Sequence, residues 1–144
     1  MVRFTINSTY KNNTSLISEA EINEAINIAN RLIFEYKNNL DKISFDIIGI
    51  GNDAQGKVYN LSNTKCCLKV SKLGKHVGIE QEKQFDLMDK CRDAIKGQSV
   101  IIEGEKYILD CIPTIGVAVD EENAYSLMIR RDNIVRMWDE PYSL

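Results

Sequence analysis

A single histidine, His76, is too few for a histidine-based zinc site, and no cysteine cluster stands beside it. The four cysteines, Cys66, Cys67, Cys91 and Cys111, form no C-x-x-C pair. Two of them are adjacent, which is a poor start for a disulfide framework. No apolar run approaches the roughly 18 residues of a membrane span, and the start, MVRFTINSTYKNN, lacks a signal-peptide core. Positive charge is in slight deficit, with 18 Lys+Arg against 21 Asp+Glu and a formal charge of −3. That balance offers no basic footprint for nucleic acid or anionic lipid. A cytoplasmic chain with reduced thiols is expected, touching neither nucleic acid nor membrane. The Asn-x-Ser/Thr matches at Asn7, Asn12, Asn13 and Asn60 are then chance matches in an Asn-rich chain.

What remains is ordinary globular composition, 44% hydrophobic and 27% charged in 144 residues. There are no internal repeats and no Pro- or Gly-rich linker, so one domain is expected. Residues 1–17 are polar and rich in Asn, Thr and Ser, and read as a loose arm. Ser18 and Glu21 then form a capping box ahead of a helical stripe of Ile22, Ala25, Ile26, Ala29, Leu32, Ile33, Tyr36 and Leu40. The pattern predicts a long amphipathic helix within 18–42, which packs on its own domain or on a partner.

From Ile43 the period changes to that of strands. ISFDIIGI, KVYNL and KCCLKVSK read as three strands joined by short turns, an antiparallel meander. IEQEKQFDLMDKCRDAIK has helical length and pattern. VIIEGEKYIL reads as a hairpin turned at Glu103-Gly104-Glu105, and TIGVAVDEENAYSLMI as another turned at Asp120–Asn123. The expected fold is α+β: a five-stranded antiparallel sheet over 43–131 with one helix inserted, the long helix before it and a tail at 132–144.

The informative stretch runs from Gly49 to Tyr59. Gly51 to Lys57 spells G-x-x-x-x-G-K, close to a Walker A motif. The Mg²⁺-ligating Ser/Thr position is Val58, however, and a strand follows where a P-loop requires a helix N-terminus. The better reading places Gly51 and Gly56 in a strand–turn–strand hairpin. Such a turn can lie over a triphosphate without side-chain collision, or it can be a plain hairpin needing positive φ. Lys69 lies thirteen residues beyond Gly56, in the third strand. Alternation puts Cys67, Lys69 and Ser71 on one face and Cys66, Leu68 and Val70 on the other. An inward lysine beside a glycine turn needs anions: a phosphate on one side and a carboxylate on the other. Glu82 and Glu80 are the carboxylate candidates, and Glu82 shares a helical face with Ile79 and Phe85. The cysteines read as small core or pocket-lining residues, and His76, beside two glycines, as a loop residue.

In this arrangement the chain resembles the N-terminal, ATP-binding lobe of the protein kinase superfamily. Gly51-x-Asp53-x-x-Gly56-x-Val58 looks like the glycine-rich loop, with Asp53 replacing its middle glycine. Cys66-Cys67-Leu68-Lys69 looks like the third-strand V-A-I-K element. Residues 112–120 and 124–129 look like strands four and five. The resemblance implies ATP with Mg²⁺ as ligand. Gly51 and Gly56 would cover the phosphates, and Lys69 would hold them and be held by Glu82 or Glu80. Val58 and Cys67 would sandwich adenine, Ile129 would stand near the gatekeeper, and Arg130 and Arg131 would begin the hinge. Small divergent kinase-like effectors of bacterial type III secretion systems are similar in brevity, which implies a host cytosol as a place of action.

The departures bear on chemistry. Asp53 sets a carboxylate where a triphosphate would lie, and the hairpin at 100–109 is an insertion before strand four. Phosphoryl transfer needs an aspartate to orient the hydroxyl and an Asp and Asn to hold Mg²⁺. Arg131-Asp132-Asn133 does not supply them: no His precedes Arg131, Met137 stands five after Asp132, and nothing like D-F-G follows. The resemblance therefore implies an ATP-binding lobe whose transfer to protein Ser/Thr would need a catalytic lobe this chain lacks. The alternative is a non-catalytic, lobe-like module that docks to a partner protein. No metal ligands of the chain's own are expected.

Overall fold

The computed structural model describes residues 1–12, 16–38, 43–50, 56–73, 83–110 and 113–131. Ser18 opens the long helix α2 (Glu19–Asn38) through the expected capping box. The Ser18 amide donates to Glu21 Oε1 at 3.0 Å, and the Glu21 amide donates to Ser18 Oγ at 3.1 Å. Those two bonds satisfy donors that the helix leaves without partners. With Lys65 Nζ at 3.1 Å beside it, the Glu21 carboxyl is held below its usual range, chiefly by the Ser18 amide. Ser18→Ala is expected to lower stability by about 1 kcal/mol, read from urea unfolding followed by circular dichroism. An unchanged midpoint would show that the cap is redundant with the packing of the helix.

The α2 stripe of Ile22, Ala25, Ala29, Leu32 and Ile33 is buried. It joins Tyr59, Leu61, Cys66, Leu68, Val70, Ile115, Ala118, Tyr125, Leu127 and Ile129 in one core. The helix thus packs on its own sheet, and its apolar stripe is not open to a partner. Among the described residues no helix is long and apolar enough to cross a membrane.

The sheet consists of β1 (Thr5–Ile6), β2 (Ile47–Ile50), β3 (Lys57–Asn60), β4 (Cys66–Lys72), β7 (Thr114–Val119) and β8 (Asn123–Ile129). Their order across the sheet is β1-β7-β8-β4-β3-β2. Every pairing is antiparallel. Between β4 and β7 the chain forms helix α3 (Lys83–Ile95) and a separate hairpin, β5 (Ser99–Ile102) with β6 (Glu105–Ile108). That hairpin turns at Glu103 and Gly104, with φ of 51° and 83°, where the sequence places its turn.

Two expectations need correcting. The sheet has six strands rather than five, and the segment expected as a loose arm supplies the sixth. Thr5 pairs with Val117 and Ile6 with Gly116 on the free edge of β7. A five-residue helix α1 (Ser8–Asn12) follows, and Phe4, Tyr10 and Ile17 enter the main core. Polar composition misled here because the strand is two residues long, too short to show a period. Its stability comes from three buried side chains scattered through the segment.

Candidate functional site

β4 lies in the middle of the sheet, bonded to β3 on one side and β8 on the other, so its register fixes which side chains meet. Lys69 stands opposite Val58 on β3 and Ser126 on β8. Two residues along, Cys67 stands opposite Asn60 and Met128. Because directly paired residues point to the same side, these six share one face. Cys66, Leu68 and Val70 take the other side and enter the α2 core. The lysine is therefore presented away from α2. Cys67 beside it is buried, while Lys69, Val58, Asn60, Ser126 and Met128 are each half-buried.

The thiols are chemically quiet. Burial pushes Cys66 up to about 12, helped by the neighbouring Cys67. Burial pushes Cys67 up to about 11, with the Arg130 guanidinium pulling weakly the other way. Both are protonated at neutral pH, so Cys67 is an apolar lining residue and not a nucleophile.

Arg130 leaves the end of β8, its amide donating to the Lys65 carbonyl at 2.7 Å. Its guanidinium reaches Asn60 Oδ1, across the sheet from Cys67. Arg131 turns elsewhere and pairs with Asp110 at 3.1 Å. Of the expected site residues, Val58, Cys67, Lys69 and Arg130 are thus gathered at one side of the sheet. Ile129 is not with them: it pairs with Cys66, is buried in the α2 core, and donates its amide to the Pro113 carbonyl at 3.0 Å. At that level Met128 lies on the face of Lys69. The sequence reading missed Met128, Asn60 and Ser126, although alternation along β8 from Ser126 and along β3 from Val58 would have found them. Gly51, Asp53, Glu80 and Glu82 lie outside the described residues.

Gly56 adjoins this face with a φ of 70°. A Cβ there would stand 1.8 Å from the Val70 carbonyl oxygen. The glycine is therefore demanded by the close approach of the turn to β4, whatever else it does.

A cleft of about 640 Å³ lies apart from Lys69, between the C-terminal end of α2 and the β7–β8 turn, lined by Tyr36, Lys37, Lys72 and Asp120 among others. Its central carboxylate is already engaged, with Lys37 Nζ 3.0 Å from Asp120 Oδ2. Among the described residues no group of His, Cys, Asp and Glu is placed to hold a metal ion. Compared with protein-family models, curated proteins and solved structures, the chain matches none.

Proposed function

We propose that the chain is an ATP-binding lobe of protein-kinase type, carrying the nucleotide half of a phosphoryl-transfer site. The observation that carries this reading is the placing of Lys69. It stands on the middle strand, on the face turned away from the buried helix, between Val58 and Ser126. Around it the order along the chain suits the reading, apart from the inserted β5–β6 hairpin: two strands flanking the glycine turn, the lysine strand, helix α3, that hairpin, then the two strands β7 and β8. Lys69 would hold the α- and β-phosphates, and the turn ending at Gly56 would cover them. Val58, Cys67 and Met128 supply apolar surface of the kind a flat base requires. The base and Mg²⁺ ligands of transfer would come from a separate catalytic lobe.

A second reading, a non-catalytic interaction module, has one observation in its favour. Ile101 and Ile108 are diagonal neighbours on one face of the β5–β6 hairpin and are 76% and 77% exposed.

Thermal unfolding with and without Mg-ATP separates the two. At a nucleotide concentration about ten times the dissociation constant, ligand linkage adds about 1.4 kcal/mol, a rise of about 3–6 °C for a domain of this size. The rise is expected in the wild type and is expected to vanish in Lys69→Met, whose melting temperature without nucleotide should stay within about 1 °C, since Lys69 is only half-buried. A wild type unmoved by millimolar Mg-ATP, or a Lys69→Met protein that shifts as much, would remove the nucleotide reading and leave the interaction module.

A further inference from the structure

We propose that Asn60 and Arg130 read the base at one end of the Lys69 face, selecting a purine with a carbonyl at C6, guanine or hypoxanthine, over adenine. The inference rests on the nucleotide reading above and names the base. With the phosphates at Lys69, the base would lie at Cys67, about 7 Å back along the same strand. Val58 and Met128, both half-buried, give that place its apolar surface. Its polar edge comes from two other side chains. Asn60 stands directly opposite Cys67 on β3. Arg130 leaves β8 and reaches across the start of β4, its Nη1 donating to Asn60 Oδ1. Burial dominates the Cys67 thiol, but that guanidinium is close enough to pull against it.

The backbone beside them has little to offer a base. The Ile129 amide donates to the Pro113 carbonyl at 3.0 Å, and the Arg130 amide to the Lys65 carbonyl at 2.7 Å. Met128 lies inside the sheet, paired with Cys67 on one side and Thr114 on the other. Recognition at this end therefore falls to side chains. An asparagine can read adenine through both amide atoms, Oδ1 accepting from N6 and Nδ2 donating to N7. Asn60 is not set to do so, because its Oδ1 is turned to Arg130. What it presents instead is Nδ2, a donor, and a guanidinium only donates. An edge of donors suits O6 and N7 of guanine, which are both acceptors. Toward adenine it sets donors against the N6 amino group, itself a donor. Hypoxanthine shares O6 and N7 with guanine but lacks the 2-amino group, so it isolates this edge.

The test is titration of the full chain with ribose-labelled fluorescent Mg-GTP, Mg-inosine triphosphate and Mg-ATP, as wild type, Asn60→Asp and Arg130→Met. The wild type is expected to bind the guanine and hypoxanthine analogues about equally. Each should bind about tenfold more tightly than the ATP analogue, which Lys69 still holds. Asn60→Asp keeps a partner for Arg130 but replaces the donor by an acceptor, and is expected to bring the ratio to about one. Arg130→Met frees Oδ1 for N6 and is expected to turn the preference toward ATP by about threefold. The readout is a ratio: a substitution that only loosened the sheet would weaken all three analogues together and leave it unchanged. An ATP analogue bound as tightly as the others overturns the inference while nucleotide binding stands. Tight binding of the guanine analogue alone overturns it too, since the 2-amino group would then be what is read. A tenfold preference that survives both substitutions removes Asn60 and Arg130 from the role. A wild type that binds none of the three defeats the nucleotide reading itself, and the base preference with it.

Discussion

Gly56→Ala is expected to destabilise the domain by about 3–5 kcal/mol, a large part of the roughly 5–15 kcal/mol available to a domain of this kind. Two penalties combine. At a φ of 70° a side chain occupies the left-handed region, at about 1–2 kcal/mol for a non-glycine residue. The added methyl also stands 1.8 Å from the Val70 carbonyl oxygen, 2.8 Å from its carbon and 2.9 Å from the Ser71 Cα. All three are backbone atoms of β4, which is bonded on both sides and cannot yield without disturbing β3 and β8. Gly104→Ala makes the control: its φ is 83°, but nothing stands within 4 Å of the added carbon. Only the conformational penalty applies there. Equal losses in the two variants, measured by urea unfolding, would show that the crowding at Val70 relaxes. One functional point follows. Gly56 is required by the sheet itself, so loss of nucleotide binding on its replacement would not discriminate between readings; Lys69 is the residue that does.

The second large effect is expected at Asp120, which closes the β7–β8 turn. Its Oδ1 accepts the Glu122 and Asn123 amides at 2.9 and 2.8 Å. Its Oδ2 accepts the hydroxyl of the fully buried Tyr125 and faces Lys37 Nζ at 3.0 Å. Asp120→Ala strands that hydroxyl and removes the acceptor of both turn amides, at an expected loss of about 2–4 kcal/mol. Tyr125→Phe combined with it should lose less than the two single changes added together, because no hydroxyl is then left without an acceptor. Strict additivity in this cycle would dissolve the pair. The same carboxylate gives a signature in acid. Burial opposes its ionisation, but the Tyr125 hydroxyl, the two turn amides and Lys37 outweigh burial and bring it from an ordinary 3.8 down to about 2. A folded value below the unfolded one means that stability is fully present above about pH 4 and drains away as the pH falls toward 2. Linkage puts that loss at about 2 kcal/mol. Asp120→Asn should show a correspondingly flatter acid limb in unfolding measured from pH 6 to 2.

Local signals were legible wherever they were dense. The capping box at Ser18, the stripe from Ile22 to Ile33, the third strand around Lys69 and the turns at Glu103 and Asp120 stand where the residue pattern places them. Alternation also separates Lys69 and Cys67 from Leu68 and Val70. Alternation alone does not say which face a helix will cover. That is settled by the packing of Ile22, Ala25, Ala29, Leu32 and Ile33 on Leu68 and Val70, which turns Lys69 the other way. The same packing draws Ile129 under α2, so the residue beside Cys67 is Met128, one position from the one suggested by resemblance. The bond between Arg130 and Asn60, 70 residues apart, has no local signature at all. Nor has the strand at Thr5, whose partner Val117 lies near the other end of the sequence.

That last pairing carries a consequence for biosynthesis. Val117 and Gly116 are made only after more than a hundred residues have followed Thr5 and Ile6. At translation speeds of about 5–20 residues per second, β1 waits about 5–20 s for its partner. Throughout that interval Phe4, Tyr10, Ile17 and the apolar stripe of α2 lack the part of the core that Ile115, Ala118, Tyr125, Leu127 and Ile129 supply. The nascent chain therefore offers a chaperone an incompletely covered apolar segment, and the shielding of that segment is completed only with β7 and β8.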